Sequence, residues 1–292
     1  MRRRSPADWL SYDGIADRYD EVAAPRFRAV ALRMWALLPL PHGRVLDIGT
    51  GTGVVPAAGA ESHGPPSLAV GCDRALGMLS RARAGAPWLR VLVADALALP
   101  FPAQTFDIVT ASFVLSHVRE PERLLHEAGR VLEPSGMVAL SSWAEARNPF
   151  HTAWSEHLAE AITAAEVERA TREVIPSEGR FCEPGGLESA LDEAGFSVVA
   201  SDTVDLDLAP TVEQFVDDRA LTPGGRLGRS LLGEQEWARF VAQLRGALES
   251  RFGRQLRYSR RAFLVAARKK PPDGVHPRAT APITEALPGR KA

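Results

Sequence analysis

Residues 45–53 read Val-Leu-Asp-Ile-Gly-Thr-Gly-Thr-Gly, an apolar run that ends in a glycine-rich turn. Glycines let a backbone approach a ligand closely, and a helix that follows directs its free N–H groups at the same point. Pro56 is tolerated in the first helical turn because its missing N–H would have no partner there. The dinucleotide pattern G-x-G-x-x-G fails, since the sixth position is Val54 counted from Gly49 and Pro56 counted from Gly51. The stretch predicts a strand, a ligand-binding turn and a helix, and argues against a pyrophosphate site.

Around this turn, short apolar runs alternate with helical patterns from Arg44 to Trp143, which is typical of βαβ units in a parallel sheet. Five strands are predicted here, at 44–48, 68–72, 90–94, 106–111 and 136–142. Their nearly continuous hydrophobicity predicts that helices cover both faces of the sheet. Two more strands are predicted at 197–208 and 258–267. The chain is therefore predicted to be an α/β protein with a seven-stranded, Rossmann-like sheet.

The remaining segments of the chain have helical patterns without strands. Three such segments flank the predicted sheet, at 1–42, 144–185 and 211–252. A short helix at 186–194 is predicted to end at Gly195, which suits a left-handed helix C-cap. We expect the three segments to form a helical lid over the sheet edge, so that one domain spans 1–270. The proline-containing tail 271–292 is predicted to be disordered.

The composition excludes several classes of protein. With 45% hydrophobic and 24% charged residues in 292, the chain is a globular rather than a disordered or fibrous protein. A formal net charge of −1 argues against nucleic acid as a partner, although a local basic patch stays open. Cys72 and Cys182 are too few for a disulfide framework and lack metal-ligand spacing, so we expect no metal and a cytoplasmic location. No run approaches the roughly 20 apolar residues of a membrane span.

Lysine is nearly absent from the chain. All but three of the 35 basic residues are arginine, and the three lysines lie at or after Lys269. Catalysis that depends on a lysine in the predicted sheet domain is therefore disfavoured.

Acidic and small residues stand where the other predicted strands end. Asp73 ends the second strand, where a carboxylate can accept hydrogen bonds from both hydroxyls of a ribose. Asp95, followed by Ala96, ends the third strand, and Ser112 ends the fourth. Ligands of open parallel sheets bind across the carboxyl ends of the strands, so these residues and Gly49 are predicted to surround one crevice. Both aspartates are also favoured helix N-caps, and that structural interpretation stays open.

Five segments together resemble the class I S-adenosylmethionine-dependent methyltransferases, of the small-molecule type similar to the ubiquinone/menaquinone biosynthesis C-methyltransferases. They are VLDIGTGTG at 45–53, GCDRALGMLSRAR at 71–83, VADALALPF at 93–101, FDIVTASFVLSHV at 106–118 and RVLEPSGMVALSSW at 130–143. Their order and spacing match that family over about 35–145. The chain departs from it at Ser116, where a paired histidine is common, and at Ser135, within a turn.

The resemblance implies that the chain binds S-adenosyl-L-methionine as a cofactor. It assigns cofactor binding to Tyr19, Asp47, Gly49, Thr50, Gly51, Asp73, Met78, Asp95, Ala96 and Ser112. In that assignment Asp47 and the loop backbone face the methionine end, Asp73 the ribose hydroxyls, and Asp95 with Ala96 the adenine. Tyr12 and Tyr19 resemble a tyrosine-containing lid segment of the same family.

His117 is the candidate catalytic residue, because it follows the fourth strand near the predicted point of methyl transfer. A neutral imidazole can accept a proton from a substrate hydroxyl, so His117 is a candidate general base. A hydrogen-bonded structural histidine explains it equally well. The aromatic and histidine side chains in or beside the first insertion are expected to pack or to contact substrate; they are Trp143, His151, Trp154 and His157.

The predicted reaction is transfer of a methyl group to an O, C or N atom of a small, mostly apolar metabolite, such as a quinone or a polyketide. The segment 111–114 lacks the Asn/Asp-Pro-Pro-Tyr pattern of nucleobase amino-methyltransferases, and neither cysteine follows a proline. The partner is therefore expected to be a small molecule, without nucleic acid or membrane insertion, and the oligomeric state stays open. An NAD(P)-dependent oxidoreductase and a non-catalytic S-adenosylmethionine-binding protein are the alternatives.

Overall fold

A computed structural model describes residues 8–38, 43–146 and 148–270. Within them, seven strands form one sheet: β1 (Arg44–Ile48), β2 (Leu68–Asp73), β3 (Arg90–Val93), β4 (Phe106–Ser112), β5 (Leu132–Trp143), β6 (Phe196–Leu208) and β7 (Tyr258–Lys269). Their order is β3-β2-β1-β4-β5-β7-β6. β7 runs antiparallel to both of its neighbours, β5 and β6, and the other pairs of neighbouring strands are parallel. The predicted α/β, seven-stranded, Rossmann-like sheet is confirmed, and the predicted disordered tail lies outside the described residues.

Helices connect and flank these strands. In the described part they are α1 (Ala16–Val22), α2 (Ala24–Trp35), α3 (Val54–His63), α4 (Leu76–Gly85), α5 (Pro121–Val131), α6 (Pro149–Ala161), α7 (Ala164–Val174), α8 (Glu178–Phe181), α9 (Gly186–Glu193), α10 (Val212–Ala220) and α11 (Pro223–Phe252). Short 3₁₀ helices occur at Asp8–Leu10, Asp13–Ile15 and Leu115–His117. Gly195 has φ +82°, which confirms the predicted left-handed cap of α9. Among the described helices, none is long and apolar enough to span a bilayer.

Buried apolar side chains fill both faces of the central strands. On one face α5 and α9 contribute residues such as Leu124 and Leu191 to the core around Val109. On the other face α2 and α3 pack against the sheet, and Trp35 Nε1 donates a hydrogen bond of 2.8 Å to the Val55 carbonyl. The central strands are thus rigidly held between two helical layers, as their apolar sequences require.

Two strands differ from the sequence prediction. The expectation that helices cover both faces of the third strand is wrong, since Leu92 and Val93 are 39% and 53% exposed. The reason is the strand order, because β3 lies at the edge of the sheet with β2 as its one neighbour. The fifth strand was predicted at 136–142, but β5 begins earlier, at Leu132, directly after α5. Leu132 pairs with Phe106, before an irregularity in the register between β4 and β5.

The segment 8–22 and helices α6, α7, α10 and α11 pack together, and we call them the helical cap. Its apolar centre includes Trp154, Trp237 and Phe240, with Trp9 packed against it. The Ser11 carbonyl accepts a hydrogen bond of 3.0 Å from Arg226 Nη1, which joins the N-terminal segment to α11. Asp13 Oδ1 accepts one of 2.7 Å from the Gly77 N–H, which joins it to α4. Parts of the three predicted lid segments therefore form one unit, whose closing motion stays a prediction.

Candidate active site

The glycine-rich turn lies between β1 and α3, as predicted. Gly49, Gly51 and Gly53 have φ values of +65°, +54° and +87°, a region that side-chain-bearing residues avoid. A Cβ on Gly49 would also lie only 2.4 Å from Val114 Cγ2. The Thr50 N–H donates to the Cys72 carbonyl at 2.9 Å, which fixes the turn to β2. The backbone conformation therefore requires glycine and brings the turn to the carboxyl edge of the sheet.

Asp73 connects this turn to the next helix. Its Oδ2 accepts a hydrogen bond of 2.9 Å from the Gly51 N–H, and its Oδ1 accepts one of 2.9 Å from the Ala75 N–H. Ala75 is the N-cap residue of α4, so Asp73 also helps to hold the start of that helix, as the structural interpretation proposed. Each carboxylate oxygen has a second lone pair, however, so both oxygens can still accept hydrogen bonds from a ligand.

Asp47 is buried beneath the turn with one oxygen unpaired. Thr110 Oγ1 donates to Asp47 Oδ1 at 2.6 Å, whereas Asp47 Oδ2 and the hydroxyls of Thr50 and Thr52 are buried without hydrogen-bond partners among the described residues. Burial raises the pKa of Asp47 to about 7, although the nearby hydroxyls of Thr110 and Thr50 oppose the rise. Unpaired buried polar atoms are rare in folded proteins because they are costly. These atoms could therefore pair with the charged groups of a bound ligand.

Replacing Asp47 by asparagine is expected to stabilise the free protein at alkaline pH. The raised folded-state pKa means that the unpaired charge destabilises the protein increasingly between about pH 4 and pH 7. We expect Asp47→Asn to raise the melting temperature by about 3–8 °C at pH 8 and by almost nothing at pH 4. Differential scanning fluorimetry across this range measures the effect.

The matched control is Asp107→Asn, because Arg44 holds the pKa of Asp107 below its usual range and the carboxylate is therefore already paired. That variant is expected to give no gain at pH 8. A melting temperature that falls in Asp47→Asn at pH 8 would mean that Asp47 is paired in the free protein.

The other predicted cofactor residues take three different positions. Asp95 is exposed, and its Oδ1 accepts a hydrogen bond of 3.0 Å from the Leu97 N–H. Ala96 follows it, partly buried, and Ser112 Oγ lies 2.7 Å from Ser141 Oγ at the ends of β4 and β5. Met78 is only 3% exposed and packs under the segment 8–22. The structure thus brings the glycine turn, Asp73 and Ser112 to the carboxyl ends of the strands, while the roles of all these residues stay predictions.

Five aromatic side chains beside Ser112 form a continuous row of ring contacts, which we call the aromatic wall. They are Tyr12, Tyr19, Phe27, Phe113 and Trp143. Tyr19 stacks on Phe27 at 5.6 Å, Phe27 meets Phe113 edge-on at 5.0 Å, and Phe113 stacks on Trp143 at 4.4 Å. Phe113 takes a φ of +59°, which is unusual for a residue other than glycine. The sequence analysis gave neither Phe27 nor Phe113 a role in the site, although Phe113 lies within the segment 106–118 directly after Ser112.

His117 lies at the end of the aromatic wall, with its ring 5.8 Å from that of Tyr12. Its Nδ1 is 3.1 Å from the Val174 carbonyl oxygen. A carbonyl can only accept, so Nδ1 carries the proton and Nε2 of the neutral ring has a free lone pair. Desolvation by the surrounding protein lowers the pKa of His117, the Val174 carbonyl opposes the fall, and the Arg226 charge adds to it. The residue still has an exposed surface, so a substrate can reach it.

Arg226 is a buried cation that the sequence did not single out. It is 5% exposed, and its guanidinium lies 4.3 Å from the centre of the Tyr12 ring. Its Nε and Nη2 have no hydrogen-bond partner in the described part of the chain. Because arginine is so common in this sequence, no single arginine forms a recognisable pattern.

Comparisons with known proteins identify the family to which the chain belongs. Residues 46–140 match the family model of the methyltransferase domain. The chain is 34% identical over 164 residues to the demethylmenaquinone methyltransferase of Streptomyces avermitilis, covering 52% of this chain and 67% of that protein. It is 30% identical over 223 residues to the nocamycin O-methyltransferase of Saccharothrix syringae, covering 71% and 79%. The chain belongs to the S-adenosylmethionine-dependent methyltransferases.

A solved structure shows the same fold. Phosphoethanolamine N-methyltransferase 2 of Haemonchus contortus superposes with a TM-score of 0.55 at 17% identity, covering 92% of this chain and 61% of that one. Membership of the methyltransferase family confirms the predicted cofactor, S-adenosylmethionine, and overturns the NAD(P)-dependent alternative. When bound, S-adenosylmethionine supplies a methyl group that its sulfonium sulfur already activates.

Proposed function

We propose that this methyltransferase methylates a hydroxyl group or an acidic carbon of a flat, largely apolar small molecule. The observation that carries the proposal is the aromatic wall, which begins next to Ser112 and ends at His117. Flat aromatic surfaces bind planar molecules by stacking and by burying apolar area. The similar proteins named above act, by their names, on demethylmenaquinone and on nocamycin. Both names support a small-molecule acceptor.

His117 is the proposed general base. Its lowered pKa keeps the ring neutral at physiological pH, and the Val174 carbonyl fixes the tautomer in which Nε2 accepts a proton. A base is needed for a hydroxyl or an acidic carbon, whereas a deprotonated amine or thiolate needs none. The rest of the site contributes alignment of the two reactants and exclusion of water.

The proposed holders of S-adenosylmethionine are the glycine turn and the acidic residues around it. Asp47 would accept from the ammonium, and Asp73 would accept from the ribose hydroxyls while it keeps the turn in place. Leu76 and Val93, which are 62% and 53% exposed, are large apolar side chains near Asp73 and Asp95. An adenine ring between them would cover surface that is otherwise costly to expose to water.

A turnover assay tests the proposed function. The purified protein is incubated with S-adenosylmethionine carrying a deuterated methyl group and with 2-naphthol, 2-hydroxy-1,4-naphthoquinone or 2-methoxynaphthalene. Mass spectrometry is expected to find one added methyl group on the first two compounds and none on the third, whose oxygen is already methylated. Transfer to bulk RNA or protein, with no product from the small hydroxyl compounds, would overturn the proposal. Methylation of either hydroxyl compound would also rule out the alternative that the protein binds S-adenosylmethionine without catalysing a reaction.

The helical cap is expected to close when both reactants are bound. We predict that amide hydrogens in segments 8–22, 149–174 and 212–252 exchange at least about 10-fold more slowly with S-adenosylhomocysteine and 2-naphthol present. Mass-spectrometric hydrogen exchange measures this. Helix α5, which packs on the sheet outside the helical cap, is the internal control and should not change. Equal exchange in the cap with and without both ligands would contradict a lid.

A further inference from the structure

A cluster of arginines lies beside the aromatic wall, with Arg260 against Trp143 and Arg26 against Phe27. Arg260, on β7, places its guanidinium carbon 4.4 Å from the centre of the Trp143 ring. Its Nε is buried without a hydrogen-bond partner, and no carboxylate in the described residues forms an ion pair with it. Burial lowers the pKa of Arg260, and the nearby charges of Arg219 and Arg26 lower it further. The positive charge of Arg260 therefore lies near other positive charges and has no ion-pair partner in the described structure.

The nearby carboxylates do not compensate Arg260. Asp218, 5% exposed, is already paired with Arg26 and with Arg219, the latter at 2.6 Å. Burial opposes its ionisation, yet Arg219 and Arg26 lower the pKa of Asp218 to about 2. Glu178 is exposed, within electrostatic range of Arg260 and Arg219, but forms no ion pair with either in the described structure. The three arginines of the cluster thus have at most two carboxylates nearby, those of Asp218 and Glu178.

His151 adds unpaired polar atoms to the same cluster. Both of its ring nitrogens are buried without a hydrogen-bond partner in the described part of the chain. Its ring meets Phe215 at 5.4 Å and Tyr258 at 5.6 Å, edge-on in both cases. Burial lowers the pKa of His151 to about 3, and the charges of Arg219 and Arg260 contribute to the fall. The ring is therefore neutral and has one donor and one acceptor available.

Packing on Trp143 does not by itself account for Arg260. A cation over an aromatic ring contributes about 0.5–2 kcal/mol. Removing an unpaired charge from water costs several kcal/mol even after the protein relaxes. Arg260 is only partly buried, so this cost applies in part, and a bound anion would supply the partner that the described carboxylates do not.

We propose that the methyl acceptor carries an anionic oxygen group, a carboxylate or an enolate, that binds Arg260 beside His151 while its ring lies on the aromatic wall. The proposal rests on the proposed function, since Trp143 belongs to the wall and contacts Arg260. A guanidinium binds such a group through two parallel charge-assisted hydrogen bonds. The acceptor would then be an acid with a flat apolar body rather than a wholly apolar molecule.

Calorimetric binding of a matched pair of probes tests this proposal. Benzoate and benzamide have the same ring and differ in charge, and each is titrated into protein loaded with S-adenosylhomocysteine. We expect benzoate to bind at least about 10-fold more tightly than benzamide, and Arg260→Met to abolish that preference. Arg261→Met is the control, because Arg261 is paired with Asp205 at 2.8 Å and both side chains are about half exposed. This control should keep the preference.

Thermal stability without ligand gives a second measurement. Arg260→Met is expected to raise the melting temperature by about 2–6 °C, since it removes an unpaired charge. A lower melting temperature would mean that Arg260 is structural and would overturn the proposal. Equal binding of the two probes by the parent protein, or a preference that survives Arg260→Met, would overturn it as well. If Arg260→Met does not fold, Arg260→Gln is measured in the same titrations.

These outcomes are separate from those of the turnover assay. Benzoate binding requires no methyl transfer, so an inactive protein can still show the preference. Conversely, 2-naphthol has no carboxylate, so its methylation can succeed while the benzoate preference fails.

Discussion

Replacing His117 by alanine lowers the turnover number for 2-naphthol by about 100-fold or more, which is the ordinary contribution of a general base. The binding constant for S-adenosylhomocysteine changes less than about 2-fold, because the described contacts of His117, with Val174 and Tyr12, include neither the glycine turn nor Asp73. Loss of the hydrogen bond to the Val174 carbonyl costs about 1 kcal/mol of stability, too little to unfold the protein. Steady-state kinetics and calorimetry measure both effects.

His157→Ala is the control for this variant. His157 Nδ1 is also close to a backbone carbonyl, that of Ala153 at 3.1 Å, but His157 belongs to α6 in the helical cap. Its replacement should leave turnover unchanged. Because the pKa of His117 is lowered, parent turnover should also stay level between pH 8 and pH 6, whereas a base of ordinary pKa would lose activity. Unchanged turnover in His117→Ala would leave only the structural role.

Replacing Asp73 by alanine weakens binding of S-adenosylhomocysteine by about 100-fold or more. The change removes acceptors for the two ribose hydroxyls, and charge-assisted hydrogen bonds contribute about 1.5–3 kcal/mol each. It also releases the Gly51 and Ala75 N–H groups, so the glycine turn loses its fixed shape. We therefore expect the melting temperature to fall by several degrees as well, and calorimetry and fluorimetry measure the two effects.

Asp20→Ala is the control for Asp73. Asp20 pairs with Arg81 on α4 at 3.0 Å, near the same helix but away from the turn. Its loss should change neither binding nor melting temperature appreciably, because exposed ion pairs contribute little. A variant Asp73→Ala that melts earlier yet binds S-adenosylhomocysteine as the parent does would show that Asp73 only holds the turn.

The features predicted well from the sequence are local ones. The turn at Gly49 could be predicted because a strand, three glycines and a helix follow one another directly, and positive φ values require glycine at those positions. Asp73 and Ser112 could be placed at one sheet edge because parallel strands bring their carboxyl ends together. The left-handed cap at Gly195 needed only its immediate neighbours.

The features that sequence reasoning missed depend on distant pairs of residues. Arg26, Asp218 and Arg260 come from α2, α10 and β7, and charges that meet across such separations leave no periodic pattern. The exposure of Leu92 depends on β3 being an edge strand, which the order of strands decides and the apolar run itself does not show. His151 was expected to pack or to contact substrate, and its unpaired nitrogens become visible only once its neighbours are known.

The antiparallel direction of β7 makes the segment between β6 and β7 exchangeable as a unit. Leu208 and Tyr258 are directly paired across the two strands, so the chain leaves and re-enters the sheet at adjacent positions. A segment whose ends are already held together can be replaced by one of another length at little entropic cost to the rest of the fold. Grafting 209–257 from a related enzyme would therefore exchange helices α10 and α11 of the helical cap while the sheet and the glycine turn stay unchanged.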